Sequence, residues 1–267
     1  MPAALVRATA VLACPSCRGA LTADDYALGC AEGHRFDVAR QGNVWLDVGP
    51  ARRRPAGDDR AMVQARAAFL AGGALRAVTE ALADAAQGSW VLDVGTGTGH
   101  HIAGVLDRLP DANGVGVDVS RDALVAAARR HPRLAAVGAD VWRGLPLRTG
   151  AFDLALVVFA PRNAAELHRV LRPGGRLLVA TPAPDHLREL LADAPIRVDP
   201  HKSERLERQL GGRFEVERTQ LIEERAVLAP EAAAALQRMG PWARHELRER
   251  PLAAVNVAVH LTAYRPR

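Results

Sequence analysis

Only three cysteines occur among the 267 residues, and all of them fall within the first thirty positions. That is too few and too clustered for a disulfide framework. No stretch approaches the ~20 apolar residues of a membrane-spanning helix, because the alanine-rich segments are broken by Arg, Asp and Gly. Met1 to Leu12 has neither a sustained apolar run nor a small-residue cleavage site, so no secretory leader is expected. These absences predict a soluble, cytoplasmic chain without membrane contact. What is present suits a folded enzyme: hydrophobic residues make up 49 % and charged residues 24 %, enough for a sizeable core. The length fits one large α/β domain plus a small appendage. A net charge of +5 and a pI near 9.8 favour a polyanionic partner only weakly, since the charge is spread along the chain.

The cysteines are informative in their spacing. Cys14-Pro-Ser-Cys17 is a knuckle that turns two thiolates toward one point, and Cys30 and His34 follow to give C-x2-C-x12-C-x3-H. Tetrahedral zinc takes four such ligands from two tight turns, and a fully protein-ligated ion has no open position for chemistry. The spacing therefore predicts one structural zinc held by Cys14, Cys17, Cys30 and His34. Gly33 suits the second turn, and Leu21 to Leu28 allows a short strand excursion between the two pairs.

The segment GPARRRPAGDD, residues 49–59, reads as a linker, with Arg52, Arg53 and Arg54 either solvated or placed against phosphates. From Asp58 the pattern becomes helical, with Met62, Ala65, Phe69 and Leu70 on one side and Gly72-Gly73 as the stop.

A buried strand is expected at Trp90–Val94, followed by Gly95-Thr-Gly97-Thr98-Gly99 and a helix from His100. Strand, glycine turn and helix in this order open a nucleotide-binding α/β fold. The next strand, Gly114–Asp118, ends in an acid placed to hold a ribose diol, and Ser120 caps the helix after it. A third strand, Leu134–Gly138, leads to Asp140, placed to hydrogen-bond an adenine amino group. The third glycine comes one position too early for G-x-G-x-x-G. An acid at Asp93 would repel a pyrophosphate yet attract an ammonium. S-adenosylmethionine is therefore favoured over a dinucleotide. Further strands are expected at Phe152–Phe159 and, after the turn L-R-P-G-G, at Arg176–Ala180. Phe214–Val227 and Val255–Tyr264 can supply the last, antiparallel strands, with a helix over Pro230–Met239 between them.

The fold class is thus α/β, a seven-stranded Rossmann-like class I methyltransferase core with an N-terminal zinc ribbon. The units are 1–48 (ribbon), 49–88 (basic linker and helical connector) and 89–267 (methyltransferase domain). This combination resembles the bacterial 23S rRNA (guanine-N1-)-methyltransferases across essentially the whole chain. The motifs are C-P-S-C with C-A-E-G-H-R-F-D-V-A-R-Q-G, M-V-Q-A-R-A-A-F-L, F-A-P-R-N-A-A-E-L-H-R-V-L-R-P-G-G, A-T-P-A-P-D-H-L and M-G-P-W-A-R-H. F-A-P-R-N and G-T-G-H-H look more like the tylosin-resistance branch. The resemblance implies methylation of guanine N1 in a hairpin loop of 23S rRNA domain II at the peptide exit tunnel.

Carried onto this chain, the resemblance assigns the cofactor loop to Gly95, Gly97, Thr98 and Gly99, flanked by Asp93 and Asp118. His100 stands where relatives can have an aromatic residue, and His186 matches a cofactor-proximal histidine. Leu75 replaces a tyrosine that would approach the cofactor. Phe159 could stack on a splayed-out base, with Arg162 or Asn163 on the base edge; no carboxylate stands out as a general base. RNA contact would draw on the ribbon, the linker and the basic stretch from His201 to Arg213. On the residues alone, a small-metabolite methyltransferase and a non-catalytic RNA-binding factor stay open, as does oligomeric state, a homodimer included.

Overall fold

The computed structural model describes residues 1–47, 57–191, 202–240 and 251–267. The arginine triplet 52–54, His201 and most of the M-G-P-W-A-R-H motif lie outside the described residues.

Among the described residues, eight strands form the main sheet. In chain order they are β4 (Val44–Trp45), β5 (Trp90–Val94), β6 (Asn113–Asp118), β7 (Leu134–Gly138), β8 (Phe152–Val158), β9 (Leu171–Pro182), β10 (Phe214–Val227) and β11 (Ala254–Pro266). Their spatial order is β10-β11-β9-β8-β5-β6-β7-β4. Strands β4 to β9 pair parallel to one another, while β11 runs antiparallel to both β9 and β10. Strand order reverses between β5 and β8, which opens a crevice at their carboxyl ends.

The two faces of the sheet explain why its strands read as continuous apolar runs. In β8, Leu154, Leu156 and Val158 enter one core, and Phe152, Ala155 and Val157 enter the other. A strand covered on both faces has no polar side to show. Helices α4 (His100–Arg108), α5 (Arg121–Ala127) and α6 (Ala164–Val170) follow β5, β6 and β8. Ser120 caps α5 by accepting from the Ala123 amide at 3.1 Å.

The sheet carries one strand more than the seven expected. Strand β4, at the end of the ribbon, pairs with β7 through Val44–Val137 and Trp45–Gly138. Helix α1 (Ala3–Ala8), unforeseen because six residues are too short to show periodicity, packs on β6 and β7. The ribbon itself is the small sheet β1 (Thr22–Ala23), β2 (Ala27–Gly29) and β3 (Arg35–Asp37) with its two knuckles. Its Leu12, Leu28 and Leu46 share a core with Leu92, Val115 and Val137 of the catalytic sheet. A division at residue 48 therefore follows the chain but not the packing.

The remaining elements lie close to expectation. Helix α2 (Arg60–Ala71) starts on Asp59, which accepts from the Met62 amide, and stops at Gly72. Helix α3 is Arg76–Ala85 and α9 is Pro230–Met239. Strand β9 begins earlier than Arg176 because Leu171 already pairs with Phe152, before a register shift.

Candidate active site and metal centre

The ribbon's four candidate ligands converge. The sulfur atoms of Cys14, Cys17 and Cys30 and a ring nitrogen of His34 all lie within 4.8 Å of one another. Cys17 and Cys30 Sγ are 3.7 Å apart, and Cys30 Sγ is 3.4 Å from His34 Nδ1. A tetrahedral zinc with Zn–S bonds of about 2.3 Å would place its sulfurs roughly 3.8 Å apart. The donor set and spacing fit zinc. Each knuckle is closed by its backbone: Arg18 N donates to Cys14 O at 2.8 Å, and Gly33 N to Cys30 O at 3.0 Å.

A cavity of about 500 Å³ occupies the crevice at the strand reversal. That volume suits a nucleoside-sized ligand. Its floor is the loop after β5, where Gly95 and Gly99 hold φ of +73° and +72°. A Cβ on Gly95 would sit 2.4 Å from that of Ala160, so both conformation and space demand glycine. Gly97 and Thr98 complete the floor, while Gly99 begins α4 just outside the lining.

The acids at the strand ends are arranged in depth. Asp118 lines the cavity and accepts from Gly97 N and Ser120 N, each at 2.8 Å. Burial pushes its carboxyl above the ordinary range. Asp140 also lines the cavity and accepts from Trp142 N at 2.9 Å. Asp93 lies one layer lower, 2 % exposed and outside the lining. Its Oδ2 accepts from Thr96 Oγ1 at 2.8 Å, while its buried Oδ1 has no hydrogen-bond partner among the described residues. Burial, with a smaller contribution from the Asp118 charge, pushes this carboxyl up to about 7. An unpartnered buried acceptor beneath a glycine loop fits a cationic amine better than any phosphate.

Aromatic groups frame the mouth. Phe159, just past β8, lines the cavity at 39 % exposure and holds φ of +54°, unusual for a bulky residue. Its ring stacks on His186, centroids 5.5 Å apart at 24°. His186 is buried, and its Nδ1 accepts from Ala258 N at 3.3 Å. Leu75 and His100 line the wall as well. Burial and the nearby Arg130 lower the His100 pKa, which favours a neutral ring.

Two expected base-edge groups point elsewhere. Asn163 is the N-cap of α6: its Oδ1 accepts from Ala165 N and Glu166 N, and its Nδ2 donates to Val141 O at 3.2 Å. Both ends of the amide are engaged in holding α6 and the Val141 carbonyl. Arg162 lies outside the cavity lining, and the groups that act on its charge are Tyr264 and Arg205. An N-cap looks the same in sequence as a polar loop residue, so nothing local marks Asn163 as a cap.

Several lining residues escaped the sequence reading. Arg66 donates to Asp58 Oδ2 from Nε at 3.0 Å and from Nη2 at 2.6 Å, and to Met239 O at 2.9 Å. Its Cδ lies 3.6 Å from where a Cβ on Gly97 would stand, so α2 lays a guanidinium over the glycine loop. Trp142 is 59 % exposed at the rim. His101 is half-buried against Thr79 Oγ1 at 2.8 Å, and desolvation, then His100 and Arg66, drive its pKa down to about 3. The i,i+4 step from Met62 to Arg66 was the only available signal, and it reads equally well as a solvated helix face.

Taken together, the cavity and ribbon define an S-adenosylmethionine-dependent methyltransferase that also holds one structural zinc. Residues 91–175 match the methyltransferase domain family, and residues 12–47 match the N-terminal zinc ribbon of RlmA. The 23S rRNA (guanine(748)-N(1))-methyltransferase of Streptomyces fradiae is 45 % identical over 88 % of this chain and 86 % of its own length. A putative 23S rRNA (guanine-N(1)-)-methyltransferase of Micromonospora griseorubida is 40 % identical over 96 % of this chain and 97 % of its own. The chain belongs to the 23S rRNA (guanine-N1-)-methyltransferase family. Among solved structures, the complex of the Haloferax volcanii Trm112 activator with a putative methyltransferase covers 79 % of this chain and 99 % of that one. Its TM-score is 0.53 at 17 % identity, a likeness of fold.

Proposed function

We propose that this protein methylates N1 of a guanine in a hairpin loop of 23S rRNA domain II, and that the modification lowers binding of tylosin-type macrolides. The observation that carries this reading is that likeness to the Streptomyces fradiae enzyme runs through ribbon and catalytic domain alike. The work would be done in the cytoplasm, where the RNA is.

In this reading the backbone of Gly95, Gly97 and Thr98 lies against the methyl donor, Gly99 turns the chain into α4 beside it, Asp118 takes its ribose and Asp140 its adenine amino group. Arg66 receives its carboxylate, and Asp93, under the loop, supplies negative potential for its ammonium. Leu75, His100 and His186 shape the walls. The donor supplies an electrophilic methyl group. The protein's own task is to hold guanine N1 in line with it and to exclude water. Phe159 offers a face for a base turned out of its stack, and Trp142 offers a second at the rim. N1 must lose its proton as it attacks, and no lining carboxylate is free for that work.

Incubating deproteinised 23S rRNA with labelled S-adenosylmethionine tests the assignment. Incorporation into one guanine is expected. Transfer to small metabolites with none to RNA would overturn it.

A further inference from the structure

The adenosine end of the cavity is made by a segment with little structure of its own. Residues 140–148 contain no helix and only one isolated strand bridge, yet Asp140, Val141 and Trp142 line the cavity. The other end of this segment is gripped by the zinc knuckle. Ala13 N donates to Pro146 O at 2.9 Å, Arg148 N to Val11 O at 2.8 Å, and Arg148 Nε to Leu12 O at 3.1 Å.

Arg18 completes the grip. It follows the ligand Cys17 directly and holds φ of +64°, so its direction is set by the folded knuckle. Its guanidinium donates to Leu145 O at 2.9 Å and Leu147 O at 3.4 Å. The same two carbonyls accept from Arg169 of the catalytic domain, at 3.0 and 2.8 Å. The segment is thus clamped between one guanidinium from each domain. A second tie reaches the same place through the sheet. Leu46 N donates to Gly138 O at 2.8 Å, and the Trp45 ring fills the space over Gly138, two residues before Asp140.

We propose that the zinc knuckle is a positioning element for methyl-donor binding: zinc in the ribbon fixes Arg18, and Arg18 fixes the segment that carries Asp140 and Trp142. Metal occupancy then sets affinity for the donor with no RNA present. This rests on the cavity being the donor site. If zinc-loaded wild-type protein fails to bind S-adenosylmethionine, that reading fails; if binding ignores zinc, only the present inference does.

The test is calorimetric titration of the full-length protein with S-adenosylmethionine in three forms: zinc-loaded wild type, chelator-stripped wild type, and zinc-loaded Arg18→Ala with its metal content measured. The expected result is a Kd raised about fivefold or more on stripping and restored by added zinc. Arg18→Ala should retain one zinc and show a similar rise in Kd and in KM for the donor, with kcat at saturating donor within about twofold of wild type. Arg18→Lys should recover part of the loss. A Kd within twofold of wild type in both the stripped protein and Arg18→Ala overturns the proposal. Should either form fail to fold, the other alone decides.

Discussion

Phe159 stacks its ring on His186 at 5.5 Å while its backbone holds a left-handed φ of +54°. A bulky residue in that region costs roughly 1–3 kcal/mol and persists only where its surroundings enforce it. Here the ring stays partly exposed at the cavity mouth, so core packing alone does not account for the strain.

Replacing Phe159 separates its two roles. Phe159→Ala should lower kcat/KM for rRNA by about 10- to 100-fold, the scale of one base–aromatic stack, and change donor affinity by less than about threefold. Phe159→Gly should melt no lower than Phe159→Ala, because glycine accepts positive φ without penalty. Single-turnover kinetics on an rRNA hairpin and thermal melts check both; donor affinity falling as far as turnover would refute the stacking role.

Asn163 should behave as a structural cap. Asn163→Ala is expected to cost about 1 kcal/mol of stability, and Asn163→Asp, which keeps the cap but loses the bond to Val141 O, to recover only part of that. At a temperature where each variant is folded, turnover should stay near wild type. A turnover collapse in a fully folded Asn163→Asp protein would return this residue to the base edge.

Arg66 is the cation over the glycine loop, and removing it leaves Asp58 unpaired beside the Asp118 carboxylate. Arg66→Ala should weaken S-adenosylmethionine binding by about tenfold or more, the scale of a charge-assisted hydrogen bond, with Arg66→Lys in between. Adenosine lacks the carboxylate and should bind both forms alike. Equal losses for the two ligands would place the defect in folding.

Asp93 makes stability depend on pH. Its folded pKa, about 7, stands above the 3.8 of an ordinary aspartate. Between those values the folded state holds a proton the unfolded chain has released, so this contribution to stability falls as pH rises from 4 to about 7. Without ligand, Asp93→Asn should melt higher than wild type at pH 8, by about 3 °C or more, and the gap should close near pH 5. A pH-independent gap would mean the carboxyl is not titrating there.

The strand-and-loop skeleton was legible because buried parallel strands announce themselves. Trp90–Val94 and Leu134–Gly138 stand where the apolar runs and glycine turns place them. The four zinc ligands were legible for a similar reason, since local spacing carries the geometry. Less visible were contacts made across the fold. Nothing adjacent to Arg66 in sequence says that α2 will cover the glycine loop, and nothing adjacent to Trp45 says that β4 will extend the catalytic sheet. The depth of Asp93 beneath the loop was not legible, because sequence gives direction along a strand and not the layer.

The most direct test of the central claim is mass mapping of 23S rRNA after reaction with the zinc-loaded protein and S-adenosylmethionine. A single added methyl on N1 of one guanine in the domain II hairpin loop is the predicted result. Unmodified RNA, or methylation at a position other than guanine N1, would contradict the account.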